Sequence, residues 1–230
     1  MSDERLDQVR LLRERGLTPK QIARTMGVST AEAGRLVRTV AMTAQAGAEP
    51  ALVGCWISPT WSTGLTLGDH PDWPLHEDDS AGTDGLVSVL VARKHRHSKV
   101  SVCGYLADVY CLGVKNAMGP EIIDDVGLRR FSDHFFSGYH SDPFEAPIEL
   151  AREVVFGSVE YARGLGFDPH PDFAAAQGHL GSWTGPSTIT FGKNGKPLYI
   201  SGPYDNPRPI VHTLERTAGA GNYDYVAVAG

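Results

Sequence analysis

The sequence predicts an α+β protein, in which a three-helix N-terminal head precedes a mixed domain of antiparallel hairpins covered by helices. Three observations support this fold class. Two short capped helices flank Gly27, Val-rich and Leu-rich segments flank a polar turn at residues 95–98, and an apolar stripe with helical spacing runs through residues 147–164. The helical pattern comes first, so the head lies at the N-terminus and the mixed domain follows it.

The head is predicted from two capping boxes on either side of Gly27. In each box a Ser or Thr precedes, by three residues, a Gln or Glu whose side chain can reach back to the capping backbone N–H. The boxes are Thr18 with Gln21 and Ser29 with Glu32. Gly27 supplies the turn that a residue with a Cβ would resist. A preceding helix near residues 4–15 completes the head.

This pattern resembles DNA-binding helix-turn-helix modules over about forty residues. On the outward face of the last helix, Arg35 and Arg38 suit phosphate or guanine contacts, whereas Glu32 opposes phosphate. Lys20 and Arg24 would add contacts from the helix before it. The resemblance implies a head that binds nucleic acid, with DNA favoured over RNA as the ligand. The alternative is a helical docking or dimerisation head.

The distribution of charge also distinguishes the N-terminal head from the rest of the chain. Residues 1–40 hold eight Lys or Arg against five Asp or Glu, and the remaining residues hold 13 against 22. A basic head on an acidic body fits this interpretation, because a body of that sign does not lie along nucleic acid as a whole. We expect a head over residues 1–45, an α+β domain over residues 52–206 and a loosely attached Pro/Gly-rich tail over residues 207–230.

Composition excludes several classes of protein. The N-terminus is charged rather than a signal peptide, and no apolar run approaches the roughly 20 residues that span a bilayer, so we expect a cytoplasmic protein with no membrane partner. Cys55, Cys103 and Cys111 match no zinc spacing, which predicts reduced thiols and no metal or other cofactor. Residues 69–84 are rich in carboxylates and are interpreted as an exposed loop, with a metal site there as the alternative.

The body is predicted from its periodicity and its turns. Strands over residues 85–94 and 99–114 form one hairpin, and Asn194-Gly195 marks the turn of a second hairpin. Short helices are expected over residues 132–138 and after Asp172, and a strong helix begins at Pro147.

The first hairpin has a basic tip, because Arg93, Lys94 and Arg96 crowd around its turn together with two histidines and Lys99. Like charges at one turn repel unless an anion lies nearby. One interpretation is a contact with phosphate or RNA, and the other is a solubilising hairpin end.

One constellation has catalytic potential. Cys111 lies where an apolar strand runs into a turn, and Lys115 could favour its thiolate. His170 could serve as a base, oriented by Asp108, Asp172 or Asp205. This predicts a cysteine-dependent hydrolase or transferase. The alternative is a Cys packed as a small buried hydrophobe. A small-ligand pocket could be lined by Lys115, Asp108 and the Tyr204-Asp205 pair.

Several blocks of the body resemble a family of uncharacterised bacterial proteins. They are Cys55-Trp56-Ile57 with Trp61 and Gly64, residues 108–116 (DVYCLGVKN), residues 157–162, residues 165–173 (LGFDPHPDF), Phe191-Gly192 and residues 202–205 (GPYD). The resemblance implies one intact domain and carries no activity with it. A body of this kind could serve as a sensing or partner-binding module for the head, and an assembly protein with a docking head is a third possibility.

Overall fold

A computed structural model of the chain describes residues 2–47, 49–69, 73–75, 85–202 and 205–227. The chain divides into two compact units, residues 1–50 and residues 51–230. Each unit has a hydrophobic core of its own. The fold is α+β, with three N-terminal helices followed by an antiparallel sheet and further helices.

The first unit, the head, consists of helices α1 (Ser2–Glu14), α2 (Pro19–Met26) and α3 (Thr30–Gly47). Apolar residues recur on the inner face of each helix, and the core centres on Val9, Ile22 and Ala33. These three residues are fully buried, so the three helices of the small head pack around a core of their own.

Gly27 and Gly34, two glycines of the head, differ in backbone conformation, and this predicts opposite effects of the same substitution. Gly34→Ala is expected to stabilise the head by up to about 1 kcal/mol, because the position is helical and the new Cβ would meet only Arg38 Nη1, at 3.8 Å. Gly27→Ala is expected to destabilise it by about 1 kcal/mol, because φ is +67° there although space is open. Urea unfolding followed by circular dichroism tests both variants, and shifts of the same sign would contradict the prediction.

The second unit, the body, contains nine strands and four helices among the described residues. The strands are β1 (Leu52–Ile57), β2 (Thr66–Leu67), β3 (Leu86–Lys94), β4 (Val100–Asp108), β5 (Gly113–Ile123), β6 (Phe144–Glu145), β7 (Ile189–Thr190), β8 (Leu198–Ile200) and β9 (Asp224–Val226). The helices are α4 (Asp125–Phe135), α5 (Ile148–Gly164), α6 (Phe173–Ala176), which continues into a 3-10 turn at Gln177–His179, and α7 (Pro207–Thr217).

The main sheet has the order β5-β4-β3-β1-β6, and its pairs are antiparallel. Both of its faces are covered, so β3 is buried from Val87 to Arg93. Val89 packs into the larger core on one face with α5, whereas Leu90 packs on the other face with α4. Burial on both faces explains why β3 is a nearly continuous apolar run rather than an alternating one.

The hairpin of residues 85–114 is confirmed as the β3–β4 pair, but its second strand was predicted too long. The chain leaves β4 at Asp108, turns through residues 109–112 and begins β5 at Gly113, where φ is +67°. The Asp108 carboxylate accepts the N–H groups of Tyr110 and Cys111 and so bends the chain. The sequence prediction missed β5 because a side-chain-capped turn inside an apolar run has no periodicity of its own.

Two helix predictions need different adjustments. The helix opened by Pro147 is confirmed as α5, and Ala151, Val154 and Val155 lie on its buried stripe. The helix expected over residues 132–138 was misplaced, because α4 begins seven residues earlier, where Asp124 Oδ1 accepts the N–H of Gly127.

The predicted turn at Asn194-Gly195 is confirmed, but the prediction that its flanking strands pair with each other is wrong. Asn194 and Gly195 both have positive φ, as a two-residue hairpin turn requires, and Lys193 bridges Lys196. The flanking strands pair elsewhere, β7 with β2 and β8 with β9. The residues of the turn determine that the chain reverses direction there. The partners of the flanking strands are determined by packing in the rest of the core.

Residues 207–230 do not form a loose tail over their described part. Asn206 caps α7, whose Leu214 is fully buried, and β9 pairs in parallel with β8. The segment is therefore packed against the body through Leu214 of α7, whereas β9 is exposed. Its Pro residues lie in the first turn of α7, where a missing N–H costs no hydrogen bond.

Candidate functional site

The loop between α2 and α3 has the geometry that its sequence predicts. Thr18 completes a capping box with Gln21, and Gly27 ends α2 in a left-handed conformation, with its N–H bonded to the carbonyl of Ala23. Ser29 Oγ accepts the N–H of Glu32 at 3.1 Å and so caps the start of α3. Two helices joined by this tight turn hold the exposed face of α3 in a fixed orientation on the head.

All four basic residues predicted to contact nucleic acid from the head are exposed. They are Lys20 and Arg24 on α2, and Arg35 and Arg38 on α3. Each pair is spaced by three or four residues, so its members lie on one face of their helix. The head therefore presents two short basic stripes to solvent.

Glu32, the residue expected to repel phosphate, has a different partner from the one its capping box suggests. Its carboxylate lies 3.6 Å from Arg5 Nη1 rather than on the backbone of Ser29. An exposed pair of this kind contributes little to stability and offsets the charge of the carboxylate only in part. Glu32 is the only carboxylate among the described residues of α3, and it still opposes part of the positive field of Arg35 and Arg38.

Arg93 was wrongly placed at an exposed hairpin tip. Its side chain is 4% exposed, and its guanidinium donates to the carbonyls of His179, at 2.6 Å, and Leu180, at 3.2 Å. Arg152 Nε donates to the same Leu180 carbonyl at 2.8 Å. These carbonyls lie at the C-terminal end of the short helix after Asp172, where Arg93 satisfies them as a buried hydrogen-bond donor. Arg93 is therefore unavailable to phosphate. Lys94 and Arg96 are exposed as predicted.

Cys111 is fully buried, in a cluster with Leu165, Tyr199 and Leu214. Burial and the neighbouring Asp108 carboxylate raise the pKa of its thiol, and the opposing effect of Lys115 is smaller. A nucleophilic Cys needs access and a lowered pKa. Cys111 has neither, so its surroundings are those of a packing residue.

Asp108 serves the turn rather than a catalytic His. Its Oδ1 accepts the N–H groups of Tyr110 and Cys111, each at 2.9 Å. Burial raises the pKa of this carboxyl to about 6, although those hydrogen bonds and the charge of Lys115 oppose the shift. Two hydrogen bonds from distant residues also stabilise the turn. The N–H of Gly192 donates to the carbonyl of Val109, and the N–H of Leu198 donates to the carbonyl of Tyr110.

The raised pKa of Asp108 predicts a measurable pH dependence. The folded chain binds this proton more tightly than the unfolded chain, so the wild type loses stability as pH rises from about 4 to 6, by on the order of 3 kcal/mol. Asp108→Asn keeps an acceptor oxygen and removes the titration. Urea unfolding of both proteins across this range should therefore give a difference in unfolding free energy that grows with pH in favour of the variant. A difference that stays constant would contradict the assignment.

His170 is not brought to Cys111 by any hydrogen bond or ion pair of the described residues. Its ring Nδ1 lies 3.6 Å from Asp172 Oδ2, and its backbone N–H bonds to the carbonyl of Val114. Asp172 makes no side-chain cap to α6. The His170–Asp172 contact lies within the loop before α6, and the backbone N–H of His170 joins that loop to β5.

Lys115 and Asp205 do come together, as a ligand pocket would require, but they bind each other. Lys115 Nζ lies 3.0 Å from Asp205 Oδ2, and the same oxygen accepts from the Gly202 N–H and from the Tyr199 hydroxyl. Tyr204 lies outside the described residues. The pair joins β5 to the loop before α7 across 90 residues of sequence.

Sequence reasoning missed a carboxylate that organises a loop. Glu153 accepts from Trp183 Nε1 at 3.0 Å, from Ser187 Oγ at 2.7 Å and from the Thr188 N–H at 2.8 Å. Burial raises its pKa, but these hydrogen bonds outweigh burial and lower the pKa below its usual value. The one available signal was an acidic residue directly beside the apolar stripe of α5.

No group of three or more His, Cys, Asp or Glu that could hold a metal ion occurs in the part of the chain that the structure describes. The alternative metal ligands of the acidic loop, including His70, Asp72 and residues 76–79, lie outside it. None of the described helices is long and apolar enough to cross a membrane. Comparison with protein-family models, curated proteins and solved structures finds no match to this chain.

Proposed function

We propose that this is a cytoplasmic, regulatory nucleic-acid-binding protein that contacts duplex DNA through its head, with the body as a sensing or partner-binding module. The observation that carries the proposal is the exposed face of α3, where Arg35 and Arg38 lie beside a carboxylate already paired with Arg5. The Gly27 turn and the two capped helix starts agree with a helix presented to a groove. Lys20 and Arg24 add a second basic stripe for the backbone.

The charge distribution supports DNA as the ligand of the head rather than of the whole chain. Residues 1–40 carry an excess of Lys and Arg, and the remaining residues carry an excess of Asp and Glu. A local basic surface on an acidic protein can bind phosphate through its own contacts while the acidic remainder is repelled. The resemblance of residues 18–38 to helix-turn-helix modules points to the same ligand.

The cysteine-dependent hydrolase or transferase is not a second candidate. Cys111 is buried with a raised pKa, and His170 pairs with Asp172 instead. An assembly protein whose head only docks to another protein is the alternative that a binding experiment distinguishes.

The test is titration of a labelled random duplex of about 30 bp with the full-length protein, between about 50 and 200 mM NaCl. Arg35→Gln with Arg38→Gln is expected to weaken binding about 10-fold or more and to make the slope of log K against log salt shallower by about 2, because each lost phosphate contact removes about 0.9. Arg10→Gln with Arg15→Gln is the control, since it removes the same charge from exposed positions outside α2 and α3.

Equal losses in the two double variants would mean that the head acts only through its total charge, and would overturn the proposed α3 contact. A wild-type protein that binds no duplex at the lowest salt would overturn the proposal itself. That result would favour a docking head.

A further inference from the structure

The end of the β3–β4 hairpin carries a cluster of exposed basic side chains. This cluster, the basic tip, consists of Lys94, His95, Arg96, His97 and Lys99, all of which are exposed. The backbone N–H of Lys94 bonds to the carbonyl of Ala51 at 2.8 Å. The basic tip therefore lies at the end of the main sheet where the chain enters the body.

Among the residues that the structure describes, little of the positive charge of the basic tip is neutralised by carboxylates. Within the described residues, the single ion pair that reaches residues 94–99 joins Lys99 Nζ to Asp124 Oδ2 at 3.9 Å, and both side chains are about half exposed, 47% and 59%. Asp124 is also engaged as the cap of α4. A contact of that length in water leaves most of the positive field in place.

The conformation of the turn gives independent evidence that side-chain chemistry is favoured over stability here. The N–H of Lys99 bonds to the carbonyl of Arg96 at 3.2 Å, and the two residues between them, His97 and Ser98, have φ of 56° and 55°. Such a turn ordinarily uses Asn-Gly, as this chain does at residues 194–195. At the basic tip it uses two residues that favour this region less, and one of them is His.

We propose that the basic tip is a second nucleic-acid contact, which binds phosphates of a duplex backbone. This inference rests on the proposed function, because it assigns the ligand class of the head to a second surface. Residues 94–99 include no Phe, Tyr or Trp, so unpaired bases could stack only on the small rings of His95 and His97 or on the Arg96 guanidinium. The clustered Lys and Arg cations fit the charged phosphate backbone, which carries no sequence information.

The experiment repeats the salt titration with the full-length protein and two triple variants of equal charge. The tip variant is Lys94→Gln, Arg96→Gln and Lys99→Gln, and the control variant is Lys193→Gln, Arg208→Gln and Arg216→Gln, which are exposed basic positions elsewhere on the body. The tip variant is expected to bind duplex about 10-fold more weakly and to lower the salt slope by about 2 to 3. The control variant should change affinity by less than about 3-fold, since long-range charge alone is screened.

Folding is controlled by the melting temperature, which the tip variant should keep because the three side chains are exposed. Lys94→Gln with Arg96→Gln serves as a second variant that leaves the Lys99–Asp124 contact intact. The double variant His97→Asn with Ser98→Gly places residues that favour positive φ in the turn, so it is expected to raise the melting temperature. It should leave the contribution of the Lys and Arg side chains to the salt slope unchanged.

The outcomes separate the two surfaces. Loss of binding in the Arg35/Arg38 variant with no change in the tip variant overturns this inference and leaves the proposed function standing. Loss in the tip variant alone supports the tip and overturns the role of the head. Equal losses in the tip and control variants overturn the inference, as does tip-dependent binding to vesicles of about 30% phosphatidylserine without tip-dependent binding to duplex.

Discussion

Arg93→Gln is expected to destabilise the body by about 2 to 4 kcal/mol, one of the two largest single effects that the structure predicts. The guanidinium is 4% exposed and bonds to the His179 and Leu180 carbonyls. A Gln side chain is too short to reach both, and the His179 carbonyl would then be left without this charged donor. Urea unfolding of the full-length protein, monitored by Trp fluorescence, measures the change.

Lys94→Gln is the matched control, because Lys94 is the next residue of the same strand and is exposed. It should shift the free energy of unfolding by no more than about 0.5 kcal/mol. Similar small shifts in both variants would show that Arg93 is replaceable by solvent, contrary to its buried hydrogen bonds.

Glu153→Ala is expected to destabilise the body by about 2 to 3 kcal/mol, because it removes the shared acceptor of Trp183, Ser187 and Thr188. Loss of this acceptor should also release Trp183, which stacks on Phe156 with ring centroids 5.6 Å apart. Urea unfolding gives the stability change, and a red shift of the Trp emission reports the released ring.

Glu160→Ala, at an exposed position of the same helix, controls for helix propensity. The lowered pKa of Glu153 fixes the sign of the pH dependence: its contribution is present above the ordinary Glu range and is lost as pH falls through the folded-state pKa. The gap between wild type and Glu153→Ala should therefore shrink in acid. A gap that widens in acid would contradict the hydrogen-bonded carboxylate.

The parts of the fold that local chemistry specifies were predictable from the sequence. The Thr18 capping box, the Gly27 turn and the start of α5 directly after Pro147 each depend on residues within one helical turn. The β3–β4 pair was also predictable, because two apolar runs flank a five-residue connection. Its polar end residue, Arg93, was misread because the carbonyls it binds lie 86 and 87 residues away.

The candidate site likewise contains residues whose surroundings were predictable from local sequence and residues whose surroundings were not. Exposure of Arg35 and Arg38 follows from helical periodicity, and exposure of Lys94 and Arg96 follows from their position at the polar turn of the hairpin. The surroundings of Cys111 could not, because they depend on α7 and β8, which pack against the turn from distant parts of the chain. A residue at a strand end looks accessible until the element that covers it is known.

Strand order has a consequence for the chain during its synthesis. β3, β4 and β5 follow one another and pair in that order, so each can form a hairpin as soon as it leaves the ribosome. β1 emerges earlier, but its partner is complete only when translation reaches Lys94. At about 5 to 20 residues per second the apolar segment Leu52–Ile57 waits seconds without a partner. During that interval the unpaired segment is open to misassociation, and its other partner, β6, is made later still.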